Sequence, residues 1–365
     1  MSTEREQQRR DFVERSGWRG AEIVARPGDA STRSYARVSL NDRKAMLMDQ
    51  PQSAEAPAAL ATATPEERRA LGYNAVARLA GADTERFVAA ANYLRGLGLS
   101  APEIYAADPA QGFALIEDFG DELYADVLTR GGDERELYEQ AAEVLAALHA
   151  ERAPAVLHPD KALHAYDETA LLAETDLMTE WYLPYALSRA ARPDEIAEHR
   201  ALWRAALAST QEPSPVFVHR DYHAQNLLWL PEREGMARVG LIDFQDAVAG
   251  SRAYDLISLT EDARRDVLPE ITESTTRRYL DATGADAEKF RAQMAVMAAQ
   301  RNAKIAGIFA RLYKRDGKPR YLAYLPRVWG YLNRDLENPA LAKLKSWYDK
   351  TVPRDARGLI DGAVS

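Results

Sequence analysis

The chain has no cysteine among its 365 residues. Disulfide bonds, thiolate metal sites and a cysteine nucleophile are therefore excluded. A chain of this length can bury about three quarters of the surface of its unfolded form, so it needs no covalent staples. The absence of cysteine fits a reducing compartment, and we expect the protein to be cytoplasmic.

Two further shortages narrow the class of protein. Basic residues are in the minority, because 47 Lys and Arg stand against 56 Asp and Glu, giving a formal net charge of −9. Nucleic-acid-binding proteins are usually basic, so we expect no nucleic-acid partner. No run approaches the ~18 apolar residues of a membrane helix, and the polar start MSTEREQQRRDF does not read as a secretory signal. We therefore expect no membrane partner, and nothing in the sequence indicates an obligate protein partner.

Strand-like runs are concentrated in the first third of the chain, and helical patterns dominate the rest. The segment 27–49 predicts two strands, over 35–40 and 45–48, joined by a turn at Asn41 and Asp42. Residues 83–97 have the apolar spacing of a helix, with Asp83 or Thr84 as a candidate cap. The stretch 51–82 is rich in Ala, Pro and polar residues, so we predict an insertion or a mobile surface loop there.

This distribution predicts an α+β protein with two lobes, since domains usually contain about 100–200 residues. We place the boundary between 1–118, which holds the strand-rich part, and 119–365, which is mainly helical.

A second strand region, 215–245, carries the residues that point to chemistry. There VFVHRDYHAQNLLWL is followed by VGLIDFQDA, so that Asp221, Asn226 and Asp243 lie at the ends of short apolar runs. Either aspartate alone could be a turn cap. Together, however, two carboxylates and an amide oxygen at one point suit phosphoryl transfer, which needs a group to orient a hydroxyl and hard oxygen ligands for Mg²⁺.

These motifs resemble a known family. HRDYHAQN, LIDFQDA and SRAYDL (251–256) are similar to motifs of the aminoglycoside phosphotransferases, which have a protein-kinase-like fold and a catalytic loop that usually reads H-G-D-x-x-x-x-N. The resemblance extends over about 20–335 and implies a small antiparallel-sheet N-lobe, a larger mainly helical C-lobe, and ATP with Mg²⁺ as cofactors. It implies these roles: Asp221 as catalytic base, Asn226 and Asp243 as Mg²⁺ ligands, Asp255 as a buried structural acid, and His219 and His223 as braces of the loop.

Further segments resemble one group within that family. GDASTRSYARV, MLMDQP, FALIEDFGD and TEWYLPY are similar to segments of the anomeric sugar kinases of bacterial cell-wall recycling. This resemblance implies an amino sugar substrate, phosphorylated at its C1 hydroxyl, with N-acetylmuramate and N-acetylglucosamine as the acceptors of peptidoglycan recycling.

The nucleotide-binding part departs from the kinase pattern. A G-x-G-x-x-G loop is missing, so the hydroxyls of Ser31 and Thr32 and the charge of Arg33 become candidate phosphate contacts, although hydroxyls in such turns are also common caps. Met48 stands where a strand lysine is expected. The positive charge for the phosphates could come instead from Lys44, Arg33 or Arg37. The usual helix partner of that lysine would be Glu85, which could equally be a solvated charge.

The remaining contacts are predicted from composition. FALIEDFGD fits a linker between lobes, where main-chain groups near Glu117 and Phe119 would bond to the adenine edge. Sugars are commonly bound by carboxylates and aromatic rings, and the candidates for these contacts are Glu174, Asp176, Trp181 and Tyr182. Polar and basic groups could bind the carboxylate of a muramic-type acceptor, and the candidates are Gln300, Arg301 and Lys304. Each could instead belong to the core or to the surface.

Other functions remain open on the sequence alone. The same core could phosphorylate an aminoglycoside, choline or homoserine. The missing glycine loop and strand lysine also allow a pseudokinase that binds without turnover. A protein kinase is disfavoured, because no A-P-E segment follows IDFQDA.

Overall fold

The structure is a computed structural model, and it describes residues 3–27, 33–51, 58, 60, 62–79, 83–158 and 161–359. These residues divide into two units. The first unit holds the described parts of 1–148, 154–164 and 219–248, and the second holds 149–153, 165–218 and the described part of 249–365. The division is discontinuous, so it differs from the single boundary at 118, which stays a prediction.

The first unit is built on a five-stranded antiparallel sheet of order β1-β2-β3-β5-β4. Its strands are β1 (Glu22–Ala25), β2 (Ser34–Leu40), β3 (Arg43–Asp49), β4 (Ile104–Asp108) and β5 (Phe113–Glu117). β2 and β3 form the predicted hairpin, with Asn41 at a φ of 52° in the turn. Sequence inspection missed β1 and β4, which are short and only partly buried.

Alternation along the strands gives the sheet two different faces. Ala36, Val38, Ala45 and Leu47 are buried on one face, and Phe12 and Trp18 from the N-terminal helical segment pack against it. Residues of opposite parity, Tyr35 among them, lie on the other face, as a period of two requires. The sheet therefore has one apolar face, which forms a core, and one face that carries polar groups.

Helices and short hairpins complete the first unit. Its helices are α1 (Thr3–Val13), α2 (Pro65–Leu71), α3 (Thr84–Gly96), α4 (Tyr124–Thr129) and α5 (Glu134–Leu148). Its further strands are β6 (Val156–His158), β7 (Lys161–Ala162), β9 (Leu227–Trp229) and β10 (Val239–Leu241). Of the two candidate caps, Asp83 is the one that caps α3, accepting from the main-chain N–H groups of Glu85 and Arg86.

The stretch 51–82 is not a surface loop throughout. α2 begins with a capping box between Thr64 and Glu67, and a π-helical turn follows at Asn74–Arg78. Ala75, Val76 and Ala77 in this turn are buried, although their small side chains gave no helical signal. The expectation of a mobile surface loop is therefore wrong for 62–79, while 52–57, 59, 61 and 80–82 lie outside the described residues.

The second unit is mainly helical. Its helices are α6 (Glu168–Leu177), α7 (Leu183–Leu187), α8 (Pro193–Leu207), α9 (Ala253–Thr260), α10 (Pro269–Thr283), α11 (Ala287–Asp316), α12 (Leu325–Asp335) and α13 (Ala342–Thr351). The 30-residue α11 packs against α6, α9 and α12. Strands β8 (Val216–Val218) and β11 (Val248–Gly250) pair with each other. Across the described ranges, no helix has the length and apolar character to span a membrane.

Candidate active site

The catalytic loop is the segment 219–226, which precedes β9. Its turn is closed by main-chain hydrogen bonds from His223 N to Asp221 O (3.0 Å) and from Asn226 N to His223 O (2.8 Å). The side chain of Asn226 adds a third bond, from Nδ2 to Asp221 O at 2.9 Å. Asp221 and Asn226 are both half-buried. The loop thus holds the two side chains in a fixed relation and leaves both accessible.

The second loop, which follows β10, brings Asp243 to the same place. Ile242 N donates to Asn226 O at 3.2 Å, which joins this loop to the catalytic loop. Asp243 has a φ of 64°, and its carboxylate lies 3.5 Å from Asn226 Nδ2, at the limit of a hydrogen bond. The structure therefore brings together the three residues that the sequence motif singled out.

His219 and His223 are buried beside these groups. The ring of His219 makes edge contacts with Tyr222 and Phe244, the latter ring belonging to the second loop. Burial lowers the pKa of His219, although the nearby carboxylates of Asp221 and Asp243 oppose the shift. A neutral, tightly packed ring fits the bracing role that the family resemblance implies, and that role stays a prediction.

Arg33 lies against the second loop. Its Nη2 donates to Asp243 Oδ1 at 2.6 Å, and the Tyr35 hydroxyl is in hydrogen-bonding contact with it. Burial disfavours the charge of Arg33, but Tyr35, Asp243 and Asp246 outweigh burial, so the pKa of Arg33 is raised. The guanidinium is therefore a permanent positive charge next to Asp243. Ser31 and Thr32, the other candidate phosphate contacts, lie outside the described residues.

The other candidate cations lie elsewhere in the first unit. Lys44 is exposed near the turn of the β2–β3 hairpin. Arg37 pairs with the carboxylates of Asp118 and Asp121. Only Arg33 among the three contacts a residue of the predicted metal site.

Glu85 also has a partner different from the one considered from sequence. Its carboxylate pairs with Lys161 Nζ of β7 at 2.5 Å, and Lys161 also reaches Asp83 at 3.2 Å. Arg86 donates to Ala162 O at 3.0 Å. α3 is thus anchored to the β6–β7 hairpin, and Glu85 acts in that anchor.

The predicted adenine-binding segment follows β5. Glu117 N donates to Glu103 O at 2.8 Å, so this N–H is used within the fold, and the Glu117 side chain pairs with Arg233 at 2.5 Å. The Arg233 guanidinium also lies 4.9 Å from the ring centre of Phe119. A Cβ on Gly240 would stand 3.0 Å from that ring, so glycine permits its close approach to β10.

The acceptor candidates lie in the second unit. Glu174 is fully buried, and it accepts from Tyr166 Oη, Gln300 Nε2 and Lys304 Nζ at 2.5, 3.0 and 2.8 Å. Lys304 Nζ also lies 3.1 Å from Tyr254 Oη. Three of the predicted polar residues therefore form one buried network on α6 and α11.

The remaining acceptor candidates make separate contacts in that unit. Asp176 pairs with Arg200 at 3.4 Å, and Trp181 is half-buried, with the guanidinium of Arg311 at 6.0 Å from its ring. Tyr182 is fully buried and donates to Ala356 O. Arg301 is buried and donates to Glu261 O and Ser258 Oγ. Their roles as acceptor contacts stay predictions, and Asp255 is fully buried, in keeping with a structural acid.

Sequence reasoning missed three residues next to the site. Arg220 donates to the main-chain oxygens of Ala77 and Arg78, and Arg78 Nε donates to Asp246 Oδ2 at 2.7 Å. The sequence motifs carried a signal for two of the three, Arg220 and Asp246. Arg220 stands where the family pattern has glycine, and Asp246 is the second acid of the IDFQDA motif.

The oxygen ligands around Asp243 suit Mg²⁺, which takes some of its ligands from phosphate and water. They do not suit a metal that is held by protein side chains alone. Among the described ranges, no cluster of three or more His, Asp or Glu side chains could hold a metal ion. Mg²⁺ does not need one, because it usually takes one or two carboxylates together with phosphate and water oxygens. Asp243, whose side chain is 36% exposed, and the amide oxygen of Asn226 are hard ligands of that kind.

Comparison with known proteins places the chain in a family. Residues 22–292 match the model of the APH family, described as a phosphotransferase enzyme family. An N-acetylmuramate/N-acetylglucosamine kinase of Caulobacter vibrioides is 44% identical over 98% of this chain and 99% of its own length. An enzyme of the same name from Pseudomonas aeruginosa is 34% identical over 89% of this chain and 87% of its own length.

Solved structures agree on the fold. An ADP-bound aminoglycoside phosphotransferase has a TM-score of 0.55 at 13% identity, and the match covers 94% of this chain and 99% of its own. A choline/ethanolamine kinase family protein from Mesorhizobium loti has a TM-score of 0.56 at 15% identity, and the match covers 94% of this chain and 98% of its own. These likenesses confirm the predicted kinase-like α+β fold.

The chain belongs to the APH phosphotransferase enzyme family. It is accordingly an enzyme, a kinase that transfers a phosphoryl group to a hydroxyl acceptor, and the pseudokinase alternative is overturned.

Proposed function

We propose that this kinase uses ATP and Mg²⁺ to phosphorylate the C1 hydroxyl of N-acetylmuramate and N-acetylglucosamine, as a step of peptidoglycan recycling in the cytoplasm. The observation that carries the proposal is the 44% identity, over nearly both full lengths, with a kinase named for these two sugars. The proximity of Asp221, Asn226 and Asp243 supports it, because these are the groups that phosphoryl transfer requires.

Asp221 is the group that receives or orients the proton of the attacking hydroxyl. Its carboxylate is half-buried, and its main-chain oxygen is fixed by the Asn226 amide. Holding the base and the hydroxyl in line removes much of the entropic part of the barrier, so positioning accounts for a large share of the catalysis. In this role Asp221 touches the reacting atoms and is the catalytic residue.

Asn226 and Asp243 are the Mg²⁺ ligands in this proposal. Asn226 Nδ2 already donates to Asp221 O, which leaves Oδ1 as the ligand atom. Mg²⁺ at this position would neutralise negative charge that develops on the phosphates.

Arg33 binds the phosphates in place of a strand lysine. It is the candidate cation that contacts Asp243, and Tyr35 on β2 holds it there. A guanidinium can bond to two phosphate oxygens at once, which a lysine cannot do in the same fixed geometry. The hydroxyls of Ser31 and Thr32 would add contacts next to it, and Lys44 would be a remote charge.

The adenine edge would meet main-chain groups of Glu117 and Phe119. The N–H of Glu117 is already bonded to Glu103 O, so other main-chain groups of this segment would meet the nucleotide. The predicted sugar contacts include Trp181, whose ring is half-buried, and Lys304, whose side chain retains 14% exposure.

The test is a coupled ADP-release assay with Mg-ATP and a panel of acceptors. The panel contains N-acetylmuramate, N-acetylglucosamine, glucose, kanamycin, choline and homoserine. We expect turnover on the two N-acetyl sugars, with phosphorus NMR locating the product phosphate on C1. Turnover on kanamycin, choline or homoserine alone would contradict the proposed acceptor while leaving the family assignment intact.

Asp221→Asn tests the catalytic assignment in the same assay. We expect kcat to fall roughly a thousandfold, within the range of ~10²–10⁴ for loss of a general base. Asp281→Asn is the matched control, because Asp281 is an exposed residue of α10. Wild-type turnover in Asp221→Asn would remove Asp221 from the mechanism.

A further inference from the structure

The helical segment 64–79 is attached to the catalytic loop by a set of arginine contacts. A helix leaves its last carbonyl groups without partners inside the helix, and these must be satisfied elsewhere. In the turn Asn74–Arg78, Arg68 donates to the oxygens of Ala75 and Val76 at 3.3 and 2.6 Å. Arg220 donates to the next two, those of Ala77 and Arg78, at 3.1 and 2.7 Å.

Arg220 makes these bonds from an unfavourable backbone conformation. Its φ is 76°, in the left-handed region that favours glycine and disfavours residues with a Cβ. The side chain is 95% buried, with only 5% of the residue exposed. A charged residue that is buried and backbone-strained persists only where its contacts over-determine it, and such residues cluster at functional sites.

A second contact joins the same segment to the loop that follows β10. Arg78 Nε donates to Asp246 Oδ2 at 2.7 Å, three residues after Asp243. The segment therefore touches both loops of the site. One contact is made by Arg220, which directly precedes Asp221. The other is made by Asp246, which lies three residues after Asp243.

We propose that segment 64–79 is a brace for the catalytic loop and that Arg220 is a positioning residue that acts through it. The carbonyl ends of the helical turn carry partial negative charge, which attracts the guanidinium and fixes the main chain next to Asp221. A glycine at this position, as in the family pattern, adopts the left-handed conformation without strain, but it has no side chain to hold the main chain there. The inference rests on the proposed role of Asp221 and not on the identity of the acceptor.

Arg220→Gly separates positioning from folding. Glycine adopts the left-handed conformation without strain, and this gain offsets much of the loss of the two hydrogen bonds, so we expect the midpoint of thermal unfolding to change little. Amide hydrogen exchange at 74–79 should become faster, because two carbonyl contacts are lost. With whichever acceptor the wild type phosphorylates, kcat should fall by about ten- to a hundredfold, since a shift of ~1 Å can cost a hundredfold. The KM for ATP should stay within about twofold, and Arg220→Lys should recover part of kcat.

Asn41→Gly is the matched control. Asn41 also has a left-handed backbone, with a φ of 52°, but it is exposed in the β2–β3 turn. This variant should remove the same kind of strain without changing kcat or the exchange at 74–79.

Three results would overturn the brace. Wild-type kcat in Arg220→Gly would show that the contact does not position Asp221, and unchanged exchange at 74–79 would show that Arg220 does not hold the segment. A large fall in the unfolding midpoint would assign Arg220 to folding, which also contradicts the proposal. The exchange and unfolding measurements need no acceptor, so a wrong choice of sugar in the proposed function leaves them informative.

Discussion

At the scale of single residues, this site differs from the usual kinase pattern in the source of its cations. The position of the strand lysine is taken by Met48, which is buried on β3. Arg33 stands before β2 and reaches Asp243 from there. Glu85, free of a lysine on the strand, pairs with Lys161.

Nucleotide affinity distinguishes Arg33 from Lys44, two of the three candidate cations. We expect Arg33→Met to weaken ADP binding by about ten- to a hundredfold, because a hydrogen bond to a charged group contributes about 1.5–3 kcal/mol. Lys44→Met removes a positive charge from the neighbouring hairpin and should leave affinity nearly unchanged, since Lys44 is exposed. Isothermal calorimetry with Mg-ADP measures both. The reverse ranking would assign the phosphate contact to Lys44.

At the scale of elements, the second unit depends on the close approach of α11 to α6. Gly307 on α11 lies against Leu177 at the end of α6, and a Cβ built on it would stand 2.5 Å from the Leu177 side chain and 2.6 Å from its main chain. Because part of this contact is backbone, it cannot be relieved by a rotamer change. A larger side chain at position 307 would therefore force α6 and α11 apart.

Substitution of two helical glycines tests this packing. Gly307→Ala should lower the free energy of unfolding by about 1–3 kcal/mol, the usual cost of overpacking. Gly330→Ala on α12 has open space around it and should instead raise the free energy of unfolding by up to ~1 kcal/mol, because alanine is the better helix former. Urea unfolding of the two variants and the wild type gives both values. Equal behaviour of the two would refute tight packing at Gly307.

At the scale of the whole molecule, two buried histidines make stability depend on pH. Burial lowers the pKa of His149 and of His199 to about 3 each. Trp203 Nε1 donates to His199 Nε2 at 2.9 Å, so protonation of that nitrogen would break the bond. The unfolded chain binds these protons at an ordinary pKa near 6.5. Stability from the histidines is therefore complete above about pH 6.5 and is lost as pH falls toward 3.

His199→Gln tests that dependence. Between about pH 6 and pH 4, the wild type should lose about 1.4 kcal/mol of stability per pH unit more than the variant, the contribution of one proton. Urea unfolding at pH 7, 6, 5 and 4 measures the two slopes, and their difference is independent of any constant loss of packing in the variant. Parallel pH profiles would show that His199 is not held neutral.

The sequence was enough to predict which residues lie together at the candidate site. The spacing of Asp221, Asn226 and Asp243 between short apolar runs was enough to predict their proximity, since such runs form strands whose ends are fixed. The hairpin at Asn41 and the cap at Asp83 were equally local, because turn and cap chemistry involve residues close in sequence. Local patterns and a family resemblance thus gave the fold and the group of residues that the structure brings together.

The tertiary structure alone decided which side chains support that group. Arg33 lies 210 residues from Asp243, and Arg220 lies 142 residues from Arg78, distances at which sequence spacing carries no information. The same holds for the burial of Glu174 and Arg301, which composition had suggested as acceptor contacts. The physical reason is that a long polar side chain can reach many partners, and only the packed chain determines which partner lies within a hydrogen bond.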